Sequence, residues 1–173
     1  LGITASVFHL NEGYFAFVLL ERARHRIQSD GMDPHKALQE VASATVFTTH
    51  TPVDAGHDRF PAELAAEHLR PLAEGLKLPL EEVMGLGRVN PDDLGSPFLP
   101  TVLALRLSRR ANGVSALHGV VSRKMWNHLY PGTREEAVPI GHVTNGVHLP
   151  TWLATEMNHL YESHLGVAYQ GAL

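Results

Sequence analysis

Cysteine is absent from all 173 residues. No disulfide framework, thiolate metal site or cysteine nucleophile can be built, and nothing points to an oxidising compartment. Aromatic residues are sparse at 7%, and basic side chains are outnumbered, 14 Lys and Arg against 18 Asp and Glu, for a formal net charge of -4. One local gathering of arginines, Arg22, Arg24 and Arg26, alternates with other residues on a helical pattern. Nucleic acid is therefore not an expected partner. The longest uninterrupted apolar run, Tyr14 to Leu20, falls well short of the roughly 20 residues of a membrane span. The N-terminus also lacks the charged start and cleavage pattern of a signal peptide. A soluble, cytoplasmic chain with no membrane partner is expected. It begins at Leu1-Gly2 without an initiator Met, as if cut from something longer.

What is present is enough for a real core. Apolar residues make up 44% of the chain, and a chain of this size buries on the order of two thirds of its unfolded surface. A single α/β unit over residues 1–173 is expected. Ile3 to Leu10 reads as a strand, Asn11-Glu12-Gly13 as a loop, and Phe15, Leu19, Ala23 and Ile27 as one helix face. Asp33-Pro34 supplies a cap and a first-turn proline for a second helix. The β-branched run Ala44 to Thr49 is a strand. Pro61 opens a helix that Pro71 should break into two, and Pro79 restarts helix over Leu80 to Met84. Residues 85–95 are rich in Gly, Asn, Asp and Pro and read as an exposed, mobile excursion. Thr101 to Arg110 forms a helix that Asn112-Gly113 ends as a C-cap. Val114 to Ala116 is a short strand, Leu117 to Leu129 a helix, Val138 to Thr144 a strand, and Trp152 to Leu165 a final helix ending at Gly166. Alternating strands and helices with short connections predict a Rossmann-like layered α/β fold with a largely parallel sheet.

Ligands of such sheets bind beyond the carboxyl ends of the strands. Three polar loops fall there: Asn11-Glu12-Gly13, His50-Thr51-Pro52 and Thr144-Asn145-Gly146. They are expected to converge. His50 follows a buried strand and suits either a substrate contact or a strand-end cap. The Asn145 amide both donates and accepts, as a sugar hydroxyl requires, and Asn-Gly is equally a tight-turn pair. Asn11 and Glu12 precede a helix N-terminus and fit an N-cap as well as a ligand contact. There are 12 histidines, and His50, His57 and Asp58 lie close in sequence, with His142 and His148 flanking another loop. No HExxH or similar pair on one helix face is present, so no metal ligand is assigned. Gly85-Leu86-Gly87 lacks the glycine spacing of a dinucleotide fingerprint.

Five segments, in order, carry a resemblance. They are His9-Leu10-Asn11-Glu12-Gly13, Val46-Phe47-Thr48-Thr49-His50-Thr51-Pro52, Gly56-His57-Asp58-Arg59-Phe60-Pro61, Ala111-Asn112-Gly113-Val114-Ser115 with Leu117-His118-Gly119, and Gly141-His142-Val143-Thr144-Asn145-Gly146-Val147-His148. Together the chain resembles the short bacterial and archaeal form of α-glucan (glycogen, starch or maltodextrin) phosphorylase over nearly its whole length. The resemblance implies the second half of the N-terminal lobe of a two-lobed, GT-B type glycosyltransferase. Such an enzyme releases glucose 1-phosphate from α-1,4-glucan ends by phosphorolysis with retention, using pyridoxal 5'-phosphate. The cofactor lysine and phosphate-binding residues would belong to the C-terminal lobe, absent from this chain, so no cofactor-binding residue is assigned here and the chain alone is expected to be inactive. The implied partners are α-glucan, phosphate and the second lobe, and a homo-oligomer is left open. By the same resemblance His50 is the catalytic-site residue at the bond being broken. Asn145, Asn11, Glu12 and Tyr14 are substrate-binding positions, and Tyr14 stands where the family usually has histidine. Asn112 and His118 also match family positions and are read as structural. Two other classes remain as alternatives, a non-catalytic carbohydrate-binding module and a histidine-metal hydrolase.

Overall fold

The computed structural model describes residues 5–171. Four parallel strands lie in sequence order: β1 (Phe8–Asn11), β2 (Thr45–Thr49), β3 (Arg110–Gly113) and β4 (Ile140–His142). Between β1 and β2 come a 3-10 turn at Gly13–Phe15, α1 (Phe17–Asp30) and α2 (Pro34–Ser43). Between β2 and β3 come α3 (Ala62–Leu76), α4 (Leu80–Gly87) and α5 (Pro100–Arg106). One α-helix, α6 (Ala116–Trp126), followed by 3-10 turns at Asn127–Leu129 and Glu135–Ala137, joins β3 to β4, and α7 (Leu149–Trp152) and α8 (Thr155–Leu165) follow the last strand. The expected layered α/β architecture with a parallel sheet is present.

Since every crossover leads to the next strand in one direction, and such crossovers share a right hand, the connecting helices are stacked over one face. The side chains agree. Leu10, Phe47, Ala111 and Ile140 form one register row, and Leu10, Phe47 and Ile140 are buried in the core. The adjacent row, Asn11, Thr48, Asn112 and Gly141, points the other way, as successive residues of a strand must. Asn11 and Gly141 there are exposed. A parallel sheet is ordinarily covered on both sides, so this sheet has one dressed face and one polar, largely open one.

Several local expectations change. β1 begins at Phe8, and residues 3 and 4 of the expected Ile3–Leu10 strand lie outside the described residues. Asp33 caps α2 as expected, its carboxylate accepting from the Lys36 N–H. Pro71 does not break α3, which runs on to Leu76, because Ala65, Leu69, Ala73 and Leu76 stay buried along one side. Residues 85–88 are not an exposed excursion. Gly85 and Gly87 end α4 and are buried, as is Arg88. The Arg106 guanidinium donates to the carbonyls of Gly85, Leu86 and Val89, and Arg88 donates to that of Leu94. The exposed part is confined to 90–95. Asn112-Gly113 is not a helix C-cap, for it lies in β3, and the strand expected at Val114–Ala116 is instead the approach to α6, capped by Ser115 through the His118 N–H. Gly113 is needed for space, since a Cβ on it would come within 2.9 Å of His118 Nδ1.

Candidate functional site

All four strands point the same way, so their carboxyl ends form one rim, and the three polar loops emerge there. Thr49 pairs with Gly113, placing His50 beside Val114. From the other side the Asn145 N–H donates to the Val114 carbonyl at 3.1 Å. His50 and Asn145 thus flank the same residue, roughly two strand spacings apart, or about 10 Å. Both side chains are exposed. The convergence read from the sequence is present.

The acidic loop is built differently from a free substrate contact. Glu12 is 9% exposed and has φ 74 and ψ 163, a positive φ that a side chain tolerates only when its surroundings hold it. Its backbone N–H donates to the Thr48 carbonyl at 2.9 Å. One carboxylate oxygen accepts from the His50 N–H and, at 3.1 Å, from the Thr51 hydroxyl. Charge-assisted bonds of this kind are among the stronger ones available to a loop. Asn11 is exposed at the end of β1, on the open face of the sheet. Tyr14 is also exposed, with its ring 4.9 Å from that of Phe15.

Other polar residues gather here that the sequence did not single out as a group. His57 is 6% exposed, and its Nδ1 shares a 3.0 Å hydrogen bond with Thr101 Oγ1 at the start of α5. Its ring meets Trp126 edge-on at 4.9 Å. Desolvation holds this imidazole below its ordinary value, outweighing the pull of the Glu12 and Asp54 charges. A cavity of about 30 Å³ lies among Glu12, Tyr14, Thr51, His57 and Thr101. On the open face, the Thr48 hydroxyl meets His9 Nε2 at 2.7 Å and donates to Asn112 Oδ1 at 3.1 Å, tying three strands together. Asn112 is thus structural, as expected, through a cross-strand bond rather than a cap. His118 is structural as well: its Nδ1 accepts the Val114 N–H at 3.2 Å. Nothing local in the sequence marks Thr101 or Thr48, because each finds its partner across the fold.

Among the described residues no three His, Asp or Glu side chains gather closely enough to hold a metal ion. No helix among them is long and apolar enough to cross a membrane. The three lysines, Lys36, Lys77 and Lys124, are all exposed.

A parallel α/β sheet with polar loops converging on its carboxyl rim defines the class, a layered α/β protein with a ligand-type edge. No family model matches the chain. Glycogen phosphorylase of Mycobacterium tuberculosis is 46% identical over 158 residues, covering 87% of this chain and 18% of that protein. Maltodextrin phosphorylase of Thermococcus litoralis is 41% identical over 166 residues, covering 96% and 19%. Glycogen phosphorylase of Aquifex aeolicus is 38% identical over 166 residues, covering 96% and 23%. The chain belongs by sequence to the glycogen and maltodextrin phosphorylase family, and it spans about a fifth of the length of these relatives.

Proposed function

We propose that the chain supplies one wall of the glucan cleft of a cytoplasmic α-1,4-glucan phosphorylase, as part of the N-terminal lobe of a GT-B type enzyme. The observation that carries this reading is the placement of His50 and Asn145 on either side of Val114, within a chain related to phosphorylases over most of its length. The sheet supports it too. Its outer strands, β1 and β4, have no further partner among the described residues, and one face is open, as in a segment of a larger lobe.

Phosphorolysis with retention passes through a cation-like sugar, so groups around the reacting carbon must favour positive charge without attacking it. His50 offers its exposed ring or its main-chain carbonyl dipole for that purpose. The Asn145 amide can fix a hydroxyl of the same glucose by donating and accepting at once. Asn11 and Tyr14, both exposed, are free to meet the next sugar, a phenol by stacking or hydrogen bonding. Glu12 acts at one remove, because its carboxylate is engaged by the loop that carries His50. Pyridoxal 5'-phosphate, implied for the whole polypeptide, takes a lysine as its covalent partner. None of the three lysines here sits in an enclosed pocket, so these residues do not fit that group and no step is assigned to it in this chain.

His50→Ala in the complete polypeptide is expected to lower kcat for maltoheptaose phosphorolysis by about 10²-fold with the melting temperature nearly unchanged. A large loss of melting temperature with turnover retained would overturn the role. The 173-residue chain alone is expected to release no glucose 1-phosphate, and tight maltooligosaccharide binding by it would favour a carbohydrate-binding module instead.

A further inference from the structure

We propose that His57 is a positioning residue for His50, closing a ring of contacts that fixes the loop between them; its catalytic consequence rests on the phosphorylase reading above. The loop is held at both ends. At the first, the His50 N–H and the Thr51 hydroxyl bond to Glu12. At the other, His57 shares a hydrogen bond with Thr101 at 3.0 Å and lies against Trp126 at 4.9 Å. Both ends lead to the same place in the chain, for Gly13, next to Glu12, is pressed onto Thr101. A Cβ on Gly13 would lie 2.4 Å from Thr101 Oγ1. The circuit runs from Glu12 to His50, along the loop to His57, then to Thr101, and returns through Gly13.

The burial of its anchoring residues gives the ring its stiffness. His57 is 6% exposed, Thr101 2% and Trp126 1%, whereas His50 itself is exposed on the rim. Midway, the Thr51 methyl carbon would be 2.7 Å from a Cβ on Gly56, so the loop is folded tightly on itself. A residue that must present both a backbone carbonyl and a ring to a substrate gains its geometry from such support, since displacement of about 1 Å can cost on the order of 10²-fold in rate.

The test uses the complete polypeptide with three variants. His57→Phe keeps a ring against Trp126 and removes both nitrogens, Thr101→Val removes the hydroxyl, and His57→Asn offers a polar atom near the lost Nδ1. Deuterium uptake is followed in the peptide covering residues 49–58, and kcat and KM are measured with maltoheptaose and phosphate. His57→Phe and Thr101→Val are expected to raise uptake in that peptide several-fold over the rest of the sheet. They should lower kcat about tenfold while KM moves by no more than about a factor of two, and His57→Asn should recover most of both. Unchanged uptake in His57→Phe and Thr101→Val overturns the proposal, as does raised uptake with unchanged kcat. Should His57→Phe fail to fold, Thr101→Val decides. A wild-type polypeptide lacking phosphorolysis would sink the functional reading, and the uptake comparison would still decide whether the ring holds the loop.

Discussion

Gly13 leaves no room for a side chain, with Thr101 Oγ1 at 2.4 Å and the Thr101 backbone nitrogen at 2.8 Å from where a Cβ would stand. The second contact is with backbone at the start of α5, so the clash cannot be relieved by rotating a side chain. Gly13→Ala is expected to destabilise by about 1–3 kcal/mol, read as a lower urea midpoint, and an unchanged midpoint would show that α5 yields easily. His57 adds a pH dependence. Burial holds its imidazole pKa in the fold below the ordinary 6.5, near which the unfolded chain titrates. Below that value the unfolded state binds the extra proton. Stability from this site is therefore present above about pH 6.5 and lost as pH falls through it. Between pH 7.5 and 5.5 the wild type should lose more stability than His57→Phe, and equal losses would count against a lowered pKa for this ring in the fold. The sequence pointed to His50 and Asn145 through their position after strands. It gave no sign that Glu12 would be engaged by the His50 loop, since that depends on a bond between residues far apart in the chain.

At the level of elements, α3 shows where local rules give way. A proline inside a helix removes one hydrogen bond and clashes one turn back, which predicted two short helices. The helix persists because its buried residues span both sides of Pro71, and dividing it would expose part of that row. Strain therefore remains at an exposed position. Pro71→Ala is expected to stabilise the chain by about 2 kcal/mol, the roughly 3 kcal/mol of an interior proline less up to about 1 for the freer unfolded chain. A melting temperature that falls would mean the helix is adapted to the proline. β3 teaches the complementary lesson. Asn112-Gly113 has the composition of a helix end, and only pairing with β2, together with the Thr48 to Asn112 bond, makes it strand. β2 and α2 were legible because their signals are local, a β-branched run and a capping Asp before Pro.

Across the whole molecule, the alternation of elements made the parallel sheet and its shared rim legible, because strand direction fixes where loops emerge. The open face was not legible, since what covers a sheet depends on chain that does not pair with it locally. The same absence of cover marks the C-terminal stretch. α8 has no buried residue, Trp152 is 79% exposed and Val147 likewise. The buried Tyr169 belongs to a local cluster, its ring 5.6 Å from that of Tyr161 and its hydroxyl donating to Asn158 at 2.6 Å. Such a stretch adds little to the stability of the sheet it follows. Ending the chain after His148 is therefore expected to leave the unfolding free energy of the remaining body, extrapolated from urea, within about 0.5 kcal/mol of the parent, with a somewhat smaller m-value because less surface is exposed on unfolding. A fall of about 2 kcal/mol or more would mean that residues 149–173 brace the sheet directly. In that case the rim at Asn145 would owe its shape to the segment that follows it rather than to the Val114 pairing.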